Sequence, residues 1–469
     1  MKFVIVGGGI SGWLSALIFS HRKPNHEYLI IESSEVNTIG VGEGTTGLFV
    51  QTIEQLPDIN VAEFIRETKA TPKIGIEFNN WSGKGSTFFN PIDGTLTTNE
   101  DFDSFLYFTY IQNSSLDTSS LHGLLKRKNK SPYTEKLKDY NSALHLDNKL
   151  TIQYLKSKSL KRKNIKYISD TVSKIERDET GKVEKIICSN NIIEGDIFID
   201  CTGYSRIFSE KSDWVSFKNN LPMNSVTTFT RKHNVSMVTK ADKLNLGWCW
   251  QIPTQERIGC GYVSCDEWGN SVIDEIKSNY PDAEILKSFK FDSGKLKKSW
   301  NHNVISLGLA YHFLEPLQAT NIHLTLVQID ILCQRCIRQT KDRTLNPDVI
   351  SIYNKHIDNL IEDFKNFINI HYSRDSRVTL TDYNKKIISL LKVRGLFFED
   401  LPQLYGCSGI GLWGHTLLGL NHLTKQECHN FLSEMNLYEE VKEISSELQT
   451  IFKNTSFISY QELIKKLSI

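Results

Sequence analysis

Apolar residues at the start of the chain change spacing twice within thirty positions. Lys2–Val6 (KFVIV) is a β-branched run of strand length, and Trp13–Ser20 carries its apolar residues at helical spacing. Tyr28–Ile31 is a second short apolar run that ends in Glu32. The predicted order is strand, helix, strand. Val61–Lys69 reads as helix, and Pro72–Trp81 as an extended segment with Ile74, Ile76 and Phe78 on one face. Alternation returns over Val172–Ile175, Val183–Ser189 and Ile192–Asp200, which predicts a small β-meander. Its last strand ends Phe198-Ile199-Asp200-Cys201-Thr202-Gly203, a strand-to-turn that rejoins the opening sheet. Further strands are expected between Ser225 and Val263. After Asp330 the pattern is mainly helical, with amphipathic stretches at Asp348–Phe367 and Leu437–Ile451, and His429–Glu440 also reads as helix. The predicted fold class is α/β: a Rossmann-type core with a strand-rich insertion and a helical C-terminal region. Residues 1–330 are expected to form the core with an interwoven β-sheet substrate region, and residues 331–469 a mainly helical cap.

The turn after the first strand carries chemistry. Gly7-Gly8-Gly9-Ile10-Ser11-Gly12 follows Val6 at once, and Glu32 stands twenty residues beyond Gly12. In a dinucleotide site Gly7 permits the tight turn, Gly9 lets a pyrophosphate approach the backbone, and Gly12 lets helix pack on strand. The helix N-terminus attracts the phosphates, and Glu32 can accept from a ribose hydroxyl. A second match, Gly409-Ile410-Gly411-Leu412-Trp413-Gly414, has no strand leading into it and helix after it, so it reads as a loop and helix start used in packing. One nucleotide fold is expected.

Composition narrows the class. Lys+Arg 55 against Asp+Glu 54 leaves +1, so no global field attracts nucleic acid or an anionic membrane. No apolar run reaches the ~18 residues of a span, and the glycines of the opening segment argue against a signal peptide. Nine cysteines in 469 residues form no disulfide framework, which fits a reducing, cytoplasmic setting. Cys333-Gln334-Arg335-Cys336 lies in a predicted helix without a second pair, and the 13 histidines lack ligand spacing, so no metal is predicted. The basic runs Leu124–Lys130 and Lys156–Lys166 read as solvated helix faces or loops.

Four further segments carry a resemblance. They are Gly40-Val41-Gly42-Glu43-Gly44-Thr45-Thr46, Lys73-Ile74-Gly75-Ile76-Glu77-Phe78-Asn79-Asn80-Trp81, Trp248-Cys249-Trp250-Gln251-Ile252-Pro253 (WxWxIP), and Gly308 through Ile322, which contains Glu315-Pro316-Leu317-Gln318-Ala319-Thr320-Asn321. With the N-terminus they resemble the flavin-dependent halogenase family, the group typified by tryptophan halogenases, in order and rough spacing over about Lys2–Val327. The resemblance implies an FAD-binding fold of the flavin monooxygenase and halogenase kind. It implies that reduced FAD and O₂ oxidise a halide to hypohalous acid, and that Lys73 intercepts this oxidant by hydrogen bond or as a haloamine. An amine suits that role because desolvation readily lowers its pKa. Thr320 and Asn321 align with residues whose backbone N–H groups hold the halide, and a helix start after Pro316, with Thr320 as its cap, is a sensible anion site.

The other implied roles follow the same motifs. Gly7, Gly9, Ile10, Ser11, Gly12, Glu32, Gly40, Gly42, Glu43, Gly44, Thr45 and Gly308 are expected to hold the flavin nucleotide. Trp248, Trp250, Ile252 and Pro253 mark the class, the two indoles sharing one strand face as a wall. Phe88 and Phe89 are candidates to line an aromatic pocket, with core packing the expected job of at least one. Gln318 stands where members acting on tryptophan carry a glutamate; it cannot be a general base, and Glu315, three residues away, is the nearest acid. The expected substrate is therefore an electron-rich indole or phenol rather than strictly free tryptophan. A single nucleotide fold implies that a separate flavin reductase supplies FADH₂. The rival readings are a flavin monooxygenase and a catalytically impaired flavin-binding relative.

Overall fold

The computed structural model describes residues 1–35, 42–92, 107, 109–111, 116–232, 234, 236–395, 400–401, 409–436 and 438–467. Phe3–Val6 is buried on both faces, as a strand in the middle of a covered parallel sheet must be. It sits fourth in a six-stranded sheet ordered Trp300–Asn301, Val304–Ser306, Ile197–Asp200, Lys2–Val6, Glu27–Glu32, Ile165–Ser169. All pairings are parallel except the Trp300–Asn301 edge. The Ile192–Asp200 run splits: Ile192–Glu194 closes the antiparallel meander with Val183–Cys188 and Val172–Arg177, and Ile197–Asp200 rejoins the parallel sheet beside Lys2–Val6 as expected.

The strand-rich insertion is a seven-stranded sheet ordered Glu284–Lys290, Ser225–Lys232, Arg257–Ser264, Gly247–Pro253, Val238–Lys243, Gly75–Asn79, Thr87–Pro91. Gly75–Asn79 enters it parallel to Val238–Lys243, so residues early in the chain complete a sheet built mostly from residues after 225. Pro72–Trp81 is extended but not one strand. Thr71–Lys73 pairs with Ala143–Leu146 in a separate small sheet that also holds Glu43–Gly44. The break is Ile74, whose N–H donates to Met237 and whose carbonyl accepts from Ile92. Lys73 is thereby fixed at the seam between two sheets.

The last third is helical, led by Pro347–His371, capped by the Asn346 side chain with Pro347 opening the first turn. Asp382–Arg394, Gly409–Gly419, Lys425–Met435 and Tyr438–Asn454 follow. The expected single helix over His429–Glu440 is two, parted at Asn436, whose left-handed backbone (φ 56°) ends the first. One strand, Phe457–Ser459, returns to pair with Lys130–Thr134, so the helical region is stitched to the core. Gly409–Gly419 is a helix packed on Thr87–Pro91, where a Cβ at Gly419 would stand 2.2 Å from Phe88. The basic runs are less solvated than expected. Lys126 bridges Glu77 (2.7 Å) and Asp117 (3.2 Å) above the Phe89 ring, and Lys158 holds Glu63 (2.9 Å). Among the described residues no helix is long and apolar enough to cross a membrane.

Candidate functional site

The glycine turn has the geometry its sequence implies. Gly7 has φ +118°, and a Cβ there would lie 2.2 Å from the Cys201 carbonyl oxygen. A Cβ at Gly12 would lie 1.9 Å from the Gly7 carbonyl, so only glycine lets the Ile10–Arg22 helix approach the strand. Around Gly9 the space is open to 4 Å, and Gly9 caps the helix without a side-chain acceptor, leaving the first-turn N–H groups facing that space. These observations fit a phosphate-bearing dinucleotide. Glu32 ends its strand behind Gly8 and is held by Lys156 (2.6 Å), which also lies 4.1 Å from the Tyr167 ring centre.

One cavity of about 520 Å³ runs from this turn to Lys73. Gly7, Gly9, Ile10, Ser11, Glu32, Gly42, Glu43, Gly44 and Gly308 line it, as do Gln318, Asn321, Trp248, Trp250 and Ile252. Gly40 lies outside the described residues. Gly12 and Thr45 support the lining from behind rather than forming it. Thr45 is locked to the Leu144 backbone through its hydroxyl, and its carbonyl accepts from Lys73 Nζ at 2.9 Å. Glu43, half-buried, accepts from Asn148 Nδ2 (2.9 Å), and desolvation pushes its carboxyl pKa up. Lys73 itself is 1% exposed, with Gly44 close enough that a Cβ there would stand 3.0 Å from Nζ. Beside it His145 is neutral: burial, reinforced by the Lys73 charge, holds its pKa well down.

The opposite wall begins with a turn that the sequence did not signal. Gln318 (φ 64°) and Ala319 (φ 56°) are both left-handed, a conformation that costs a non-glycine residue about 1–2 kcal/mol. The Thr320–Ile331 helix starts immediately afterwards, with Ala319 as its cap. Thr320 is therefore the first helical residue and not the cap expected of it, because the left-handed pair occupies the capping position. Ala319 has no side chain to accept from the first turn, and Thr320 Oγ1 and Asn321 Oδ1 are buried without a hydrogen-bond partner. Uncapped N–H groups beside the cavity suit a small anion.

Two contacts zip this turn to the end of Pro347–His371. Gln318 Nε2 lies 2.9 Å from His371 Nε2, and His371 Nδ1 lies 2.8 Å from the Phe367 carbonyl. Glu315 is fully buried and accepts from the Tyr372 hydroxyl. It does not line the cavity, because Pro316 and the left-handed Gln318 replace the regular helical turn that would have stacked residues 315 and 318. Burial pushes the Glu315 carboxyl pKa from 4.5 to about 7. A raised folded-state value means stability present below pH 4.5 and lost as pH rises to about 7, in total about 3 kcal/mol at ~1.4 kcal/mol per pH unit. Glu315→Gln should remove that dependence. Urea midpoints at pH 5 and pH 8 are expected to differ less in the variant; an unchanged difference would refute the assignment.

Trp248 and Trp250 share a face as expected, their rings 6.0 Å apart. Gly261 on the neighbouring strand makes room for Trp250, since a Cβ there would stand 2.0 Å from the indole. Pro253 anchors the strand end by accepting from the Thr71 hydroxyl at 2.7 Å. Phe88 and Phe89 do not line the cavity. Phe88 stacks on Phe78 at 4.7 Å, and Phe89 is buried over Gly75 and beneath Lys126, so both pack the core. His371, Tyr372, His145 and Thr239, which lines the cavity with its hydroxyl 2.8 Å from His145 Nε2, are parts of the site with no motif spacing to signal them. Cys333 and Cys336 are buried with thiol pKa values pushed up, to about 12 and about 11.

A family model described as tryptophan halogenase matches residues 2–405. The tryptophan 7-halogenase RebH of Lentzea aerocolonigenes is 24% identical over 409 residues, 79% of this chain and 76% of that protein. Among solved structures, the flavin-dependent halogenase Xcc4156 of Xanthomonas campestris superposes with TM-score 0.84 at 23% identity, covering 99% of this chain and 98% of that one. The flavin-dependent halogenase BrvH of Brevundimonas sp. BAL3 gives TM-score 0.81 at 22% identity, covering 100% and 99%.

Proposed function

The chain belongs to the tryptophan halogenase family of flavin-dependent enzymes, and from that premise we propose that it is an FADH₂-dependent halogenase of electron-rich aromatics, acting through Lys73. The observation that carries the reading is a fully buried amine sharing one cavity with the phosphate cradle and the paired indoles. Reduced flavin with O₂ supplies the oxidising power that turns halide into hypohalous acid. The chain's own residues do the rest. Gly9 and the first turn of Ile10–Arg22 hold the phosphates, and the open start of Thr320–Ile331, at Thr320 and Asn321, takes the halide. Trp248, Trp250 and Ile252 wall the route, keeping the oxidant from solvent. Lys73 receives it, its ammonium oriented by the Thr45 carbonyl; the O–X bond breaks as halogen joins the ring carbon, the ring releases a proton, and the oxygen leaves as water.

Gln318 cannot take that proton. Phenols and free indoles lose it without help once attacked, which supports them over tryptophan. Purified protein with FAD, a flavin reductase and bromide should brominate a phenol and indole panel read by mass spectrometry. Hydroxylated product alone would instead favour direct oxygen transfer. A single nucleotide fold supports a separate reductase. The protein alone is expected to leave FAD oxidised under NADH or NADPH, followed at 450 nm under argon, and rapid bleaching would remove that partner.

A further inference from the structure

His371 and Gln318 constrain each other. The Phe367 carbonyl can only accept, so the 2.8 Å contact places the His371 proton on Nδ1. The ring is 0% exposed, and burial lowers its pKa to about 4, so Nε2 carries a lone pair. The 2.9 Å contact with Gln318 then has one assignment: the amide NH₂ donates to Nε2. Gln318 lines the cavity, and its Oε1 accepts from no other side chain among the described residues. Phe78, Trp81 and Phe367 wall the ring at 5.1, 6.1 and 5.1 Å between centroids. The ionisable groups around it are committed elsewhere. Glu315 and Tyr372 hold each other, and Lys243, over Trp81, bridges Asp375 at 3.3 Å.

We propose that His371 is a positioning residue that holds the Gln318 amide with its carbonyl oxygen toward the cavity, as an acceptor for an O–H or N–H donor. Resting on the reading above, two sources share that chemistry: neutral hypohalous acid, and the hydroxyl or ring N–H of the aromatic. The pair is matched as amide and neutral imidazole. An ionised glutamate at 318 has nothing to donate to Nε2, so Gln318→Glu recruits a proton onto His371 and turns the contact into an ion pair. Changing 318 alone therefore does not yield a general base; the new carboxylate is neutralised by the ring behind it.

Histidine-¹⁵N spectra of the purified protein test the pair without flavin, halide or substrate. In the wild type, His371 should show one pyrrole-type and one pyridine-type nitrogen, unchanged from pH 5.5 to 8.5. Gln318→Leu should shift only the pyridine-type signal, which also identifies it. In Gln318→Glu both nitrogens should be pyrrole-type at pH 6, with a titration at higher pH. A wild-type proton on Nε2, or a Gln318→Glu spectrum like the wild type, overturns the proposal. Turnover with reductase, FAD and bromide then separates the sources. If the aromatic is held, wild type prefers indole over N-methylindole by ~10-fold and Gln318→Leu loses that preference. If hypohalous acid is held, Gln318→Leu slows both equally and releases more oxidant to a monochlorodimedone trap. Equal rates and equal leakage in wild type and Gln318→Leu overturn the acceptor role. Should wild type halogenate nothing, the halogenase reading fails while the spectra still decide the pair.

Discussion

Lys73→Met is expected to cut halogenation by at least ~1,000-fold, about 4 kcal/mol of barrier, while FAD binding survives. Methionine matches lysine in length and suits a site that is 1% exposed, so the cavity wall keeps its shape. The loss includes the donor to the Thr45 carbonyl, about 1–3 kcal/mol of stability, which a fold of this size tolerates. What disappears is the nitrogen that meets the oxidant. Hypohalous acid made in the cavity then escapes, and any residual product should be a mixture of regioisomers. Product by mass spectrometry and FAD retention by absorbance check both halves. A variant within tenfold of wild type, with one regioisomer, would end the role assigned to this amine.

The second large effect separates two glycines that a motif search treats alike. Gly12→Val drives a Cβ to 1.9 Å from the Gly7 carbonyl, a backbone atom that cannot give way without moving helix from strand. Destabilisation of at least ~3 kcal/mol is expected, with flavin binding lost as a consequence. Gly9→Val meets open space and should melt close to wild type. Its side chain fills the cradle in front of the uncapped helix start, so FAD affinity should fall at least ~100-fold, about 2.7 kcal/mol. Thermal melts and FAD titrations on both variants give opposite signatures. Unchanged FAD affinity in Gly9→Val would mean the phosphates lie elsewhere.

Much of this site is legible in the sequence, because it rests on local rules. The three glycine roles follow from a turn and a helix start within six residues, and the shared face of Trp248 and Trp250 follows from strand periodicity. Lys73 was placed by motif, although its burial comes from a seam between two sheets that only the break at Ile74 explains. What stayed hidden depends on chain-distant packing. Gln318 and Ala319 carry none of the usual residues of a left-handed turn, so the displaced helix start at Thr320 could not be foreseen. His371 and Tyr372 reach Gln318 and Glu315 across more than fifty residues. Phe88 and Phe89 are pocket candidates in sequence, with core packing expected of at least one, and both pack into the core because neighbouring glycines at 75 and 419 make room for them.

The strand order also sets a timetable for synthesis. Lys2–Val6 takes Glu27–Glu32 on one side, but its other neighbour is Ile197–Asp200, which itself waits for Val304–Ser306. At ~5–20 residues per second, the ribosome needs on the order of ten seconds or more to deliver residue 200 after the first strand emerges. Throughout that interval Phe-Val-Ile-Val presents a bare apolar edge, a template for pairing with another nascent chain. A chaperone that shields the nascent chain over that interval would protect this edge until Ile197–Asp200 arrives to pair with it.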